Sequence, residues 1–252
     1  MIKVITLSIT ALLSFSSVAA SPNDINYYVI AKQAAPFQIE NKADQHSGIV
    51  TDIVKKVFEG SQYAINYHSY PFNRMISILE GGGQANWITY GSPSWGGVQA
   101  KNLSEEPIYT VKHVLLSSKK NEFTFKNMKD IENKIVVLLH GFDYPQLTPF
   151  IQSGKVEELR VKDYQAAFRI VKKLQGDAAF VEMDSRIKYN LSELNLDREQ
   201  YKTQSFNKII PDYPIYLAFD PNMDKSIQTF INVRLKNMKS SGELDQIINN
   251  YI

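Results

Sequence analysis

Twice along this chain, short apolar runs alternate with segments whose apolar residues recur at helical spacing, and that alternation constrains the fold more than any single motif. From Asn26, the run Tyr27-Tyr28-Val29-Ile30 reads as a strand. Ile49, Val50, Ile53, Val54, Val57 and Phe58 then share one helical face, up to Gly60. A second strand covers Tyr63 to His68. Pro71 suits the first position of a helix whose inward face is Phe72, Met75, Ile76 and Leu79, and Gly81-Gly82-Gly83 ends it. Residues 85–90 supply a third strand. Crossovers of this kind force neighbouring strands to run parallel, with helices covering the sheet.

The same order of elements returns at Ile135-Val136-Val137-Leu138-Leu139, a continuous apolar run of the kind buried on both faces of a sheet. A short helix is expected from Gln146 to Gln152, broken or shortened by Pro149. Next come a strand from Val156 to Val161, a helix capped by Asp163 with Tyr164, Ala167, Phe168, Val171 and Leu174 inward, and a strand from Ala178 to Val181. The C-terminal stretch offers a strand from Ile215 to Phe219, a helix from Asp224 to Gly242 and a last helix through Leu244, Ile247, Ile248 and Tyr251. The expected class is α/β, with two Rossmann-like lobes. No Gly/Ser/Pro-rich spacer divides them, so two strands crossing near Tyr109 and Asp212 serve as the hinge. The first lobe takes residues 21–109 plus 213–252, the second residues 110–212.

Composition removes several functional classes. With 28 basic and 26 acidic residues the formal charge is +2, which makes no electrostatic case for nucleic acid or a polybasic membrane contact. No cysteine is present, so neither a disulfide nor a thiolate metal site can form. Lys3, the apolar run Val4 to Leu13 and the small residues Val18-Ala19-Ala20 have the form of a secretory signal over residues 1–20, with cleavage after Ala20. Without a cysteine to carry a lipid, a freely diffusing periplasmic monomer is expected. His46, His68, His113 and His140 lack metal-ligand spacing, and no GxSxG, P-loop or GxGxxG motif occurs, so neither metal nor cofactor is expected.

Ligands of open α/β sheets bind outside the carboxyl ends of the strands. Those ends hold Phe37, Tyr70, Arg74, Tyr90, Trp95, Gly141, Phe142 and Glu182. Arg74, in a first helical turn, is read either as the partner of a ligand carboxylate or as a surface or structurally paired residue. Glu182 follows an apolar strand and serves either a ligand ammonium group or helix capping together with Asp184. Gly141 and Phe142 precede either an anion-holding helix N-terminus or an ordinary turn. Tyr70, Tyr90, Trp95 and Phe142 are ligand walls or core. Gly91-Ser92 is expected to present an exposed backbone with donors and acceptors.

The order of segments resembles the family 3 bacterial extracellular solute-binding proteins, the periplasmic components of polar amino-acid ABC importers. The resemblance rests on Ala35-Pro36-Phe37, on Gly48 to Ile53, and on Ser104 to Tyr109. It continues at Lys134 to Gly141, at Gln175-Gly176-Asp177-Ala178 and through the ending from Gly242 to Tyr251. It implies a type II periplasmic binding fold that shuts two lobes on a small polar solute and presents it to an inner-membrane ABC permease or a membrane sensor, without catalysis. It places the acid for a ligand α-amino group on Glu182. The family's carboxylate-clamping Arg after the third strand is missing from Gly91 to Gly97, leaving Arg74 as the nearest replacement. Two alternatives accompany this reading: a cyclohexadienyl dehydratase-like enzyme on the same scaffold, and an orphan domain that has lost its ligand.

Overall fold

The computed structural model describes residues 23–41 and 45–252; the expected signal segment lies outside the described residues. The first half builds β1 (Asp24–Ile30), α1 (Ile49–Phe58), β2 (Ala64–Tyr70), α2 (Phe72–Glu80) and β3 (Trp87–Gly91). β1 pairs in parallel with both β2 and β3, as the crossovers require. Pro71 stands one position earlier than expected, as the N-cap of α2, and Gly81 caps its far end. After β3 come β4 (Tyr109–Val111) and, past Lys112 alone, β5 (His113–Ser118).

The second unit comprises β6 (Ile135–Leu139), α3 (Thr148–Gln152), β7 (Glu157–Val161), α4 (Tyr164–Leu174) and β8 (Ala178–Met183). Then follow α5 (Asp184–Glu193), β9 (Tyr201–Ser205), β10 (Tyr213–Phe219), α6 (Lys225–Ser241) and α7 (Glu243–Asn249). β6 shows why an unbroken apolar strand implies burial on both sides. Val137 and Leu139 enter one core with Phe168 and Phe180, while Val136 and Leu138 enter another with Ile131 and Phe206. Pro149 sits in the first turn of a five-residue α3, where its missing N–H costs nothing. Asp163 and Asp224 cap α4 and α6 by accepting from the backbone N–H of Ala166 and Ser226, and Gly242 ends α6 with a φ of 78°.

The sheets have the orders β2-β1-β3-β10-β4 and β7-β6-β8-β5-β9. Each therefore takes three parallel strands from its own half, one antiparallel strand delivered across the waist, and an edge strand, β4 or β9, antiparallel to that one. β10 returns to lie against β3, and β5 crosses to lie against β8. The chain passes between sheets at Lys112 and again between Ser205 and Tyr213. Among the described residues no helix is long and apolar enough to cross a membrane.

Candidate functional site

Alternation along β8 puts Glu182 on the same face as Ala178 and Phe180, at the strand's carboxyl end. It is 1% exposed. One carboxylate oxygen accepts from the Met183 N–H at 2.8 Å, and the other accepts from the Tyr164 hydroxyl at 3.3 Å. One turn further, at the start of α5, the Arg186 guanidinium stands 3.8 Å from the same carboxylate and is itself 2% exposed. Burial pushes the Glu182 carboxyl above its ordinary range, against the pull of Arg186, the Met183 N–H and Tyr164. Burial likewise holds the Tyr164 and Tyr144 phenols well above theirs, so both remain donors at neutral pH.

Arg186 is where the lobes meet. Its guanidinium lies 4.7 Å from the Phe142 ring centre in the second lobe and 5.8 Å from the Phe37 ring centre in the first, and Tyr90 of β3 faces it as well. Phe37 and Tyr90 stack at 6.0 Å, and Trp95 meets Tyr90 edge-on at 5.5 Å. Trp95 Nε1 donates to the Tyr213 hydroxyl at 3.1 Å, and Phe72 stacks on Phe142 across the cleft at 6.2 Å. The result is a buried charge pair in an aromatic cage with walls from both lobes.

Of the residues expected at the site, Phe37, Tyr90, Trp95, Phe142 and Glu182 converge here. Gly141 is exposed with a φ of 87°, and a β-carbon there would stand 3.9 Å from the Gln33 side chain of the opposite lobe. No helix starts directly behind it, because α3 begins only at Thr148. Tyr70 and Arg74 stand apart from the cage. Arg74 is exposed, its guanidinium 5.3 Å over the Tyr70 ring, and that ring stacks on Tyr28. The aromatic face offsets the unfavourable helix-dipole position in place of an acid.

The expectation of an exposed Gly91-Ser92 backbone is corrected. The loop 92–100 folds back on the strand, so both residues are buried and their polar groups are engaged. The Ser92 N–H donates to the Gln99 carbonyl at 3.0 Å and its hydroxyl to the Pro214 carbonyl at 2.7 Å. A β-carbon on Gly91 would fall 1.9 Å from the Gln99 carbonyl oxygen. Gly91→Ala should therefore cost about 2 kcal/mol through displacement of this loop, read as a lower urea midpoint. An unchanged midpoint would mean that the loop yields freely.

Arg186 is the member that pattern reading missed. The available signal was a cation four residues after Glu182, at helical spacing just past a strand end.

The sequence matches the profile of the bacterial extracellular solute-binding proteins, family 3, over residues 28–252. A search of curated proteins finds no match. The structure is similar to the substrate-binding protein of an amino acid ABC transporter, with a TM-score of 0.65 and 19% identity over 91% of this chain and 99% of that one. It is also similar to the GluR0 ligand-binding core in complex with L-glutamate, with a TM-score of 0.67 and 16% identity over 92% and 99%. A third neighbour is an ancestral amino-acid-binding protein described as a precursor of cyclohexadienyl dehydratase, with a TM-score of 0.66 and 17% identity over 91% and 95%. At these identities the likeness speaks for the type II periplasmic binding fold.

Proposed function

We infer the function from one premise: the chain belongs to the family 3 bacterial extracellular solute-binding proteins. We propose that it binds a small polar solute, an amino acid or related compound, between its lobes in the periplasm after its signal segment is removed. The shut form is then presented by the monomer to an inner-membrane ABC permease or a membrane sensor. One observation carries this reading. A buried Arg186 and Glu182 from one lobe are enclosed by Phe37 and Tyr90 from the other, so polar groups and aromatic walls converge where a guest would be surrounded.

In this reading the lobes comprise residues 21–109 plus 213–252 and residues 110–212, and the passages at Lys112 and 206–212 form the hinge. Phe37, Tyr90, Trp95, Gly141, Phe142 and Glu182 face the guest. Gly91 and Ser92 hold the loop that carries Trp95. Tyr70 and Arg74 lie outside the cage, and the cation inside it is Arg186, in an ion pair with Glu182. The protein binds rather than turns over its guest.

Shutting a 1:99 equilibrium to 99:1 requires about 5.5 kcal/mol of preference for the shut state. A panel of amino acids, amines and carboxylates should contain at least one solute that raises stability by about 2.7 kcal/mol at 100 times its Kd and reduces the radius of gyration in X-ray scattering. A panel in which no solute does either defeats the reading. Steady conversion of a prephenate-like compound would replace it with an enzyme.

A further inference from the structure

Beside the caged pair lies a cavity of about 280 Å³, lined by the loop after β3 (Ser94, Trp95), the loop after β6 (143–146) and the return passage (210–213). Trp95, Tyr144 and Tyr213 wall it, and Asp143 and Asp212 stand at it. Among the described residues neither aspartate has an ion-pair or hydrogen-bond partner. His113, 6% exposed, lines the same space, and its Nδ1 has no hydrogen-bond partner.

Among the described residues no lysine or arginine lines this cavity. The two nearby guanidinium groups stand in ion pairs: Arg186 with Glu182 at 3.8 Å, its buried Nε without a hydrogen-bond partner, and Arg160, which stands over the Tyr144 ring at 5.6 Å, with Glu158. Glu182 is engaged too, by Arg186, Tyr164 and the Met183 N–H. Among the lining residues of this cavity the charged groups are therefore the two aspartates, while Lys112 lines the adjoining cavity that shares His113 and Asp212.

We propose that this cavity takes the charged nitrogen of a small organic cation lacking a carboxylate, an alkylamine or guanidine. Asp143 and Asp212 act as counter-charges, and Trp95, Tyr144 and Tyr213 as walls. The proposal rests on the solute-binding reading and narrows it. A cation over aromatic faces and beside carboxylates gains twice, whereas a carboxylate on the guest would meet two aspartates and no cation among the residues lining this cavity. Burial, and secondarily the charge of Arg186, hold His113 down at about 4, so its ring is neutral at working pH and does not compete with the guest.

The test uses probes that differ by one carboxylate: agmatine against arginine, and cadaverine against lysine, with glutarate as the anion, each titrated calorimetrically into the whole protein. The decarboxylated member of each pair should bind about tenfold tighter or more, and glutarate should not bind. Asp143→Asn and Asp212→Asn should each weaken agmatine or cadaverine by about tenfold. Both aspartates are exposed, so the apo melting temperature should hold and separate binding from folding. Arginine or lysine binding as tightly as its decarboxylated partner, or full affinity in both Asn variants, overturns the proposal. If no cation binds while an uncharged, zwitterionic or anionic solute does, the cation assignment alone falls. If nothing binds, the solute-binding reading falls with it.

Discussion

Arg186→Met should destabilise the folded protein by about 3–5 kcal/mol, because it leaves the Glu182 carboxylate buried without its counter-charge. Both side chains are almost wholly shielded from water, and the remaining polar contacts of Glu182 are one backbone N–H and one phenol. Glu182→Leu should cost a similar amount by stranding the guanidinium. The double variant should recover most of the loss, since two apolar side chains of comparable volume replace a desolvated pair. Urea midpoints around this cycle measure the coupling. The Arg186→Met penalty should also shrink in acid, where the stranded carboxyl takes up a proton. Single variants within about 0.5 kcal/mol of wild type, as at an ordinary surface site, would show that the pair is not enclosed in solution. From sequence alone, Glu182 serves either a ligand ammonium group or helix capping; its burial against Arg186 makes it part of the folded framework.

Lowering the pH from 6.5 to 4 should remove about 3 kcal/mol of stability through His113. In the folded state burial first, and the Arg186 charge second, hold this imidazole at about 4, against an ordinary value of 6.5. Between those values the unfolded chain binds the proton and the folded one does not. Stability therefore rises with pH across that window and is lost as pH falls through it. The groups around the ring are the Tyr213 ring at 5.8 Å, the Arg186 charge, and Asp143, Asp184, Asp212 and Lys112 on the adjoining cavity surfaces. Glu182, raised by burial, pulls in the opposite sense, so the quantity to measure is the difference between wild type and His113→Asn at each pH. A difference that stays flat between pH 4 and 6.5 would mean that the imidazole is hydrated.

The parallel cores were legible because apolar periodicity reports what a sheet hides, and Asp163, Asp224 and Gly242 declared their helix ends through capping chemistry. Among the elements that pattern reading passed over, α5 and β5 bury polar side chains beside apolar ones. α5 shelters Ser185 and Arg186 beside Ile187 and Leu191, and β5 opens on a buried histidine. Hydrophobic spacing discounts such residues, although contact between lobes is what buries them. The same physics explains the site: the aromatic walls and Glu182 could be placed from strand ends, whereas the surroundings of Arg186 and His113 are completed by Phe37, Tyr90 and Tyr213 of the first lobe. Gly91-Ser92 misled for the reverse reason. A small polar pair suggests an open turn, but the glycine is required because the Gln99 backbone occupies the space of a side chain.

The placement of β10 between β3 and β4 sets an order of assembly. Ile88 pairs with Phe219, so the first sheet cannot close until nearly the whole polypeptide has emerged. The second sheet draws on one uninterrupted stretch, from β5 to β9. Long-range pairing is entropically slow. The half synthesised first is thus completed last, and until then β3 presents a bare hydrogen-bonding edge, the kind of surface on which nascent chains stick to one another.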